Sequence, residues 1–256
     1  MNLENAVCII TGAGTGTGAA CATQLSAKGC RVVVNYSRSE QDARDVVAQC
    51  KAAGGQAIAV KADVSKDADC RALAQAAIDK WGQIDGLINN AGITKFAPAS
   101  DLEALDAEDF QNIYAVNVIG PYQMTRACAP ALRASASGGI VNVSSLSGVR
   151  GVGSSTAYVA SKGALNAMTL ALARALAPEI RVNAVCPGLI DTRWHSARFD
   201  PEDYAKFKAG YAKAVPLEKA ASADDVAEVA VWLLEGAAVV TGETILVDSG
   251  YHLGKG

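Results

Sequence analysis

The sequence is poor in aromatic residues and histidine, and it has no excess of positive charge. Phe, Trp and Tyr together make up 5% of the 256 residues, and Lys plus Arg number 23 against 26 Asp plus Glu. A net charge of −3 lacks the electrostatic footprint of a duplex-binding protein, and so few aromatic rings argue against a stacking platform for single strands. The two histidines, His195 and His252, are too isolated for a zinc site, so we expect no metal.

Long apolar runs are absent too. No stretch of 18 apolar residues occurs, and Met1–Asn5 carries no basic segment followed by an apolar one, so we expect a cytoplasmic protein that does not enter a membrane. The seven cysteines are odd in number and form no CxxC pair. Cys8, Cys21 and Cys186 are therefore interpreted as small buried hydrophobes in a reducing compartment.

Half of the residues are apolar, and they fall into short Val- and Ile-rich runs that alternate with Ala-rich stretches of helical period. The predicted strands are Ala6–Thr11, Arg31–Asn35, Gln56–Lys61, Ile84–Asn89, Gly139–Val143, Ile180–Cys186 and Thr244–Val247. The predicted helices are Ala19–Lys28, Gln41–Ala53, Ala68–Trp81, Phe110–Leu132, Thr156–Ala177 and Ala223–Leu234. Continuously apolar strands joined by helices predict an α/β fold, with a doubly wound parallel sheet of about seven strands covered on both faces. We expect one domain over residues 1–256.

One segment, residues 193–215, interrupts this alternation and is predicted to be irregular. It follows the carboxyl end of a strand, where open α/β sheets bind ligands, and it concentrates aromatic residues that are scarce elsewhere. Two interpretations stay open: a surface helical excursion whose aromatics pack on the body, or a flap that covers a substrate. We call it the flap segment.

A glycine-rich loop, Thr11–Gly18, lies between the first strand and the first helix. Glycine permits positive φ and lets a pyrophosphate approach the backbone, while the free N–H groups of the following helix favour its charge. No Lys-Ser or Lys-Thr closes the loop, which argues against a triphosphate P-loop. In this strand–loop–helix context, the loop predicts a dinucleotide site.

The end of the second strand offers no carboxylate. The residues there are Asn35, Tyr36 and Ser37, followed by Arg38. An acid at this place would grip the ribose of NAD and repel a 2′-phosphate, whereas Arg38 can pair with that phosphate. We therefore expect NADP(H) to be favoured, with NAD(H) possible. The alternative is that Arg38 is a solvated charge at the start of the second helix.

A second motif places Tyr158 and Lys162 four residues apart in a helical stretch, hence on one face. A free phenol has a pKa near 10, and a cation at ~4 Å is worth roughly 4 kcal/mol at an effective dielectric of about 20. On that basis we expect Lys162 to lower the pKa of Tyr158 toward neutrality. Such a pair occurs by chance in many helices, so the neighbouring motifs decide its meaning.

Those neighbours are Ser145, 13 residues before the tyrosine, the segment Asn89–Gly92 after the fourth strand, and Asn117 in the next helix. With the TGxxxGxG pattern of the glycine loop, they resemble the classical short-chain dehydrogenase/reductase family along essentially the whole chain. Ser145 is preferred to Ser144 because the family's serine lies 13 before its tyrosine. Thr17 departs from the family's usual apolar residue.

The resemblance implies a Rossmann-type sheet and a set of functional residues. The implied catalytic tetrad is Asn117, Ser145, Tyr158 and Lys162. The cofactor-binding positions, Arg38 included, are Gly12, Thr15, Gly16, Thr17, Gly18, Arg38, Asp63, Val64, Asn90, Ala91, Gly92, Tyr158, Lys162, Pro187, Gly188, Ile190 and Thr192. The implied reaction is hydride transfer between a nicotinamide cofactor and a carbonyl or secondary alcohol.

In that scheme Tyr158 exchanges the proton, Ser145 holds the substrate oxygen, and Lys162 binds the nicotinamide ribose and lowers the phenol's pKa. Asn117 holds a water that relays protons. A 3-oxoacyl-thioester reductase and a sugar or polyol dehydrogenase both remain open. So do a catalytically silent dinucleotide sensor and a dehydratase or epimerase. The C-terminal segment Val240–Tyr251 and the helices Phe110–Leu132 and Thr156–Ala177 resemble the family's interfaces, which implies a homotetramer or homodimer.

Overall fold

Seven parallel strands form one sheet in the order β3-β2-β1-β4-β5-β6-β7. The structure, a computed structural model, describes residues 1–254. The strands are β1 Val7–Ile10, β2 Arg31–Tyr36, β3 Gln56–Lys61, β4 Gly86–Asn89, β5 Gly138–Val143, β6 Ile180–Pro187 and β7 Thr244–Val247. The predicted doubly wound α/β sheet is confirmed, and each predicted strand is present with ends that shift by at most two residues.

Helices cover both faces of the sheet. They are α1 Gly16–Ala27, α2 Glu40–Ala52, α3 Asp67–Trp81, α4 Ala107–Tyr114, α5 Gly120–Ala134, α6 Ser147–Arg150, α7 Thr156–Leu176, α8 Arg193–Ser196, α9 Pro201–Ala214 and α10 Ala223–Glu235. Short 3₁₀ turns occupy Leu102–Ala104 and Tyr251–Leu253. Within residues 1–254, no helix is long and apolar enough to cross a membrane.

Two separate hydrophobic cores lie on the two faces, because successive strand side chains point in opposite directions. Cys8 and Ile10 of β1 belong to the core under α1, α2 and α10, whereas Val7 and Ile9 belong to the core under α3, α5 and α7. All four β1 residues are fully buried. This two-sided burial explains why the strand sequences are continuously apolar. The seven cysteines are buried free thiols, which include the three predicted to be buried, Cys8, Cys21 and Cys186.

The prediction of a single helix over Phe110–Leu132 is wrong in two respects. The helical region begins earlier, with α4, and a π-helical turn at Ala115–Ile119 separates α4 from α5. Pro121 has no N–H, so it cannot donate the ordinary i−4 hydrogen bond to the carbonyl of Asn117. A wider turn accommodates that missing bond, and such turns are frequent at functional sites.

The flap segment, which is absent from the predicted helices, is helical, in keeping with its interpretation as a surface helical excursion. It contains α8 and α9, and α9 begins with Pro201 directly after Asp200. Proline suits a first helical position, and Glu202 and Asp203 in the first turn complement the helix dipole. Neither helix contains a buried residue. The aromatic residues of the flap segment therefore contact one another and line the adjoining cleft instead of packing into a hydrophobic core.

Candidate active site

A cleft of about 1420 Å³ opens at the carboxyl ends of the strands. The cleft reaches the end of β1. The strand order reverses there, since β2 lies on one side of β1 and β4 on the other, and open α/β sheets bind ligands at such a switch point. The walls of the cleft include residues that follow β1, β2, β3, β4, β5 and β6. Of the predicted site residues, all except Gly18 and Asn117 line this cleft. The structure therefore brings the two sequence motifs, 140 residues apart, to one site.

The glycine loop is held against the segment after β4. Gly12 has φ +60°, and a Cβ added there would lie 2.9 Å from the Cα of Ala91. The Thr11 hydroxyl accepts the N–H groups of Asn90 and Ala91, each at 3.0 Å. The Asn90 amide in turn donates to the carbonyls of Thr11 and Gly12. Gly18 lies outside the cleft because it packs against this amide.

Asn35, at the end of β2, braces the same loop from the other side. Its side-chain oxygen accepts the N–H of Gly12 at 3.1 Å, and its amide donates to the carbonyls of Val60 and Ala62. Asn35 is 2% exposed, so it is part of the scaffold and not a ribose ligand. A polar residue closing the apolar run Val32–Val34 was the available sequence signal for this role.

The first turn of α1 is left without protein partners of the usual kind. Thr15 makes no side-chain capping bond, and the turn carries no acidic residue. By contrast, α10 has a complete capping box between Ser222 and Asp225. Uncapped N–H groups and a positive helix end beside a glycine loop are suited to an anionic group. The loop therefore fits a pyrophosphate on geometry that is independent of the sequence pattern.

Three cations, Arg38, Lys61 and Lys66, line the end of the cleft beyond β2 and β3. Asp63 is there as well, and hydrogen bonds from Ser65 hold the pKa of its carboxyl below the ordinary value. Lys61 is paired in register with Tyr36 across the β2–β3 ladder. The sequence predicts Arg38 as the cation at this end of the cleft, and the structure adds Lys61 and Lys66 to the same lining.

The serine, tyrosine and lysine of the predicted tetrad meet at the ends of β5 and α7. Ser144 is buried and its hydroxyl donates to the carbonyl of Lys162, so it holds the helix in place. Ser145 faces the cleft, and its hydroxyl lies beside the Tyr158 phenol. Ser155 caps the start of α7 by accepting the N–H of Tyr158. Tyr158 is therefore fixed at the first turn of its helix.

Burial controls the charges of the pair, which corrects the expected lowering of the phenol's pKa. It raises the pKa of Tyr158 to about 12, although the Ser145 hydroxyl opposes it, and it lowers the pKa of Lys162 to about 8. The Lys162 ammonium donates to the Val143 carbonyl at 2.8 Å and lies 5.7 Å from the centre of the Tyr158 ring. The cation is thus directed at the backbone, and desolvation outweighs its attraction for a phenolate.

Asn117 is fully buried in the π-helical turn. Its side-chain oxygen accepts the N–H of Ile93 at 2.8 Å, and its amide donates to the Ile93 carbonyl and the Ser161 hydroxyl. Its side chain therefore anchors the loop after β4 to α7. Lys162 lies nearby, since a Cβ on Gly92 would be 3.5 Å from the Asn117 oxygen and 3.7 Å from the lysine nitrogen.

Aromatic rings form part of the wall of the cleft. The chain has four phenylalanines, and Phe96, Phe199 and Phe207 line the cleft. Phe199 and Phe207 stack with centres 5.3 Å apart, and Trp194 lies 6.2 Å from Tyr158. These rings, with Trp194 against the half-buried Tyr158, provide a place for an apolar group next to a phenolic hydroxyl.

Comparison with known proteins agrees with this geometry. A family model described as Enoyl-(Acyl carrier protein) reductase matches residues 12–252. A solved structure titled "Crystal structure of a putative short-chain dehydrogenase/reductase from Burkholderia xenovorans" superimposes with a TM-score of 0.91 at 41% identity, covering 98% of this chain and 99% of that one. The chain belongs to the short-chain dehydrogenase/reductase family.

Two curated relatives of this short-chain dehydrogenase/reductase are named as reductases of a ketoacyl or 3-oxoacyl group. "Granaticin polyketide synthase putative ketoacyl reductase 2" of Streptomyces violaceoruber is 41% identical over 98% of this chain and 97% of its own length. The "3-oxoacyl-[acyl-carrier-protein] reductase" of Synechocystis is 35% identical over 95% of this chain and 96% of its own. The protein is thus an oxidoreductase that acts on C=O or CH–OH groups, in a family that uses NAD(P)(H).

Proposed function

We propose that the protein reduces the ketone of a 3-oxoacyl thioester to a secondary alcohol with NADPH. The observation that carries this proposal is the aromatic lining of the cleft, which includes Phe96, Phe199 and Phe207, together with the Trp194 ring 6.2 Å from that of Tyr158. An acyl chain fits such a wall, whereas a sugar or polyol needs polar partners for each hydroxyl. The two relatives named for ketoacyl and 3-oxoacyl reduction support the same choice.

Tyr158 is the proton donor. A pKa near 12 keeps the phenol protonated at neutral pH, which suits reduction because the developing alkoxide takes a proton from the enzyme. Ser145 donates a hydrogen bond to the same substrate oxygen, where negative charge accumulates. A nicotinamide held in the cleft would supply the hydride that the carbonyl carbon accepts. The O–H bond of the phenol breaks as the O–H bond of the product forms.

Lys162 and Asn117 restore the proton and place the cofactor. Lys162 uses one donor on the Val143 carbonyl, which leaves two of its three N–H groups for the nicotinamide ribose and the proton relay. Asn117 fixes the loop that carries Gly92 beside Lys162. The flap segment, residues 193–215, closes over the substrate, and its position next to Tyr158 supports this role.

To test the reaction, acetoacetyl-N-acetylcysteamine, a range of sugars and polyols, and NADPH or NADP⁺ are mixed with the protein while nicotinamide absorbance is followed. Turnover of the thioester is expected. Turnover of sugars or polyols without turnover of the thioester contradicts the proposal and indicates a sugar or polyol dehydrogenase. Tight NADPH binding without turnover of any substrate indicates a dinucleotide sensor.

The preferred cofactor is NADP(H), held by Arg38 with Lys61 beside it. A charge-assisted pair between a guanidinium and the 2′-phosphate is worth about 1.5–3 kcal/mol, or roughly a ten- to hundredfold preference in kcat/KM for NADPH over NADH. Arg38→Ala should remove most of that preference. Equal values in the wild type, or a preference that the substitution leaves unchanged, would show that Arg38 is a surface charge.

The active form is a cytoplasmic homotetramer. Ile119, Tyr122 and Leu170 expose about half of their side chains on the π-helical turn, α5 and α7, and β7 is an edge strand. Repeated apolar faces on one chain favour closed symmetric assembly. Light scattering at micromolar concentration is expected to give four times the chain mass. A dimer mass leaves one of the two faces unused, and a monomer contradicts the proposal.

A further inference from the structure

Arg198, in the turn between α8 and α9, lies in the cleft in a special arrangement. Its guanidinium carbon is 3.4 Å from the centre of the Phe96 ring and 5.6 Å from that of Phe199. Cation–π contacts of this kind orient the planar guanidinium and reduce the freedom it loses on binding. Phe96 comes from the loop after β4, so Arg198 joins the flap segment to the body of the protein across the cleft.

Arg198 differs from other cations of the flap segment because it has no acidic partner among the described residues. Among residues 1–254, its guanidinium forms no ion pair or side-chain hydrogen bond. Other cations of the flap segment do: Arg193 pairs with Asp42, and Lys208 pairs with Asp191. Asp191 is further occupied by the Tyr204 hydroxyl at 2.9 Å.

The neighbouring histidine does not compete for an anion. His195 lies 6.4 Å from Phe96 and 6.2 Å from Phe207 between ring centres. Burial, assisted by the charge of Arg198, lowers the pKa of His195 below its ordinary value. The imidazole is thereby kept neutral at pH 7, so Arg198 is left as the positive charge of this aromatic wall.

We propose that Arg198 binds an anionic group, a phosphate or a carboxylate, on the part of the substrate remote from the ketone. The substrate class is then a ketone with an apolar section that contacts the rings and a negative group that reaches the guanidinium. The planar guanidinium of Arg198 can offer two parallel N–H donors to a phosphate or to a carboxylate. This inference rests on the proposed reduction of a ketone, and it specifies what the rest of that substrate carries.

The test compares matched neutral and charged ketones. Acetoacetyl-coenzyme A carries phosphates, and acetoacetyl-N-acetylcysteamine presents the same acyl group without them. 7-Oxooctanoate and its methyl ester form the same comparison for a carboxylate. Arg198→Gln should raise KM by about ten- to hundredfold for the charged member of at least one pair. KM for both neutral members should change less than about twofold, and the pair affected identifies the anion.

Two further variants separate binding from structure. Lys206→Ala removes one positive charge from α9 without touching the cleft, since Lys206 is paired with Glu202 on the exposed side; it should leave every KM unchanged. Phe96→Leu keeps an apolar contact but removes the π face, so Phe96, as a positioning residue, should show a smaller rise in KM for the charged ketones alone. NADPH affinity should be unchanged throughout.

Equal losses for neutral and charged ketones in Arg198→Gln, or no loss for any of them, would overturn the proposal. Failure of the proposed function is a distinct result. If neither thioester is turned over by the wild type, 3-oxoacyl-thioester reduction is wrong, while the oxooctanoate pair still tests Arg198.

Discussion

The glycine loop and the flap segment both contact the cleft, yet they are held in opposite ways. A Cβ on Gly18 would lie 2.5 Å from the amide nitrogen of Asn90, whereas a Cβ on Gly210 of α9 would meet nothing within 4 Å. The loop is fixed by close backbone packing and buried amides. The flap segment is fixed by ring contacts and surface ion pairs, with no buried residue in α8 or α9. Packing that tight restricts the residue types, whereas the flap segment tolerates variation that alters the substrate.

Tyr158, which lies between these two regions, gives the largest expected effect. Tyr158→Phe removes the proton donor and should lower kcat by about a hundredfold to ten-thousandfold, the usual contribution of general acid catalysis. NADPH affinity, measured by fluorescence titration, should stay near the wild-type value. Tyr204→Phe removes a phenol from the flap segment outside the cleft and serves as control. A Tyr158→Phe enzyme that keeps a tenth of wild-type turnover would mean that the acid is another group.

The contrast between loop and flap segment is tested directly by two helical glycines. Gly18→Ala should weaken NADPH binding and lower Tm, because its methyl group would meet Asn90 and the carbonyl of Gly12 at 2.8 Å. Gly210→Ala should leave NADPH binding unchanged and raise stability by about 0.5–1 kcal/mol, since alanine favours a helix interior. Thermal and urea unfolding measure both. Equal effects of the two substitutions would break the comparison.

Lys162 gives a smaller effect that appears as a pH dependence. Its folded pKa of about 8 lies below the ordinary value of 10.5, so the unfolded chain binds more protons between these values. Stability should therefore rise with pH in this window, as the buried ammonium loses its charge. Lys162→Met removes this contribution. The buried ammonium therefore costs the wild type more stability at pH 7.5 than at pH 9. The free energy of unfolding of Lys162→Met in urea, taken relative to that of the wild type, should fall from pH 7.5 to pH 9.

Buried cysteines make stability fall with rising pH, opposite to the effect of Lys162. The test therefore compares the wild type with Lys162→Met at each pH. The pKa of Cys21, Cys70 and Cys128 is raised to about 12. Above pH 9 their unfolded thiols ionise while the folded ones do not, which lowers stability in both proteins alike. A wild-type-minus-variant difference that is constant with pH would show that Lys162 keeps its ordinary pKa.

The sequence was sufficient for the sheet and the glycine loop, because periodicity and short-range spacing determine these. The convergence of Tyr158, Ser145 and Lys162 was implied by the family resemblance, not by their spacing. The sequence was insufficient where distant residues meet. The π-helical turn depends on Pro121 and its missing N–H, whereas helical periodicity alone predicts one continuous helix. The contact between Arg198 and Phe96 joins two loops 102 positions apart in the printed sequence. The pKa of Tyr158 depends on burial, which helical spacing does not report.

Asn35 limits how cofactor preference can change during evolution. An aspartate there would still accept the N–H of Gly12, but its second oxygen would face the carbonyls of Val60 and Ala62, which now receive an amide. Mutations at this position therefore damage the fold before they can improve NAD binding. Exposed Ser37 and Arg38 carry no such burden. A lineage that exchanges one dinucleotide for the other can therefore change these two residues without damage to the fold.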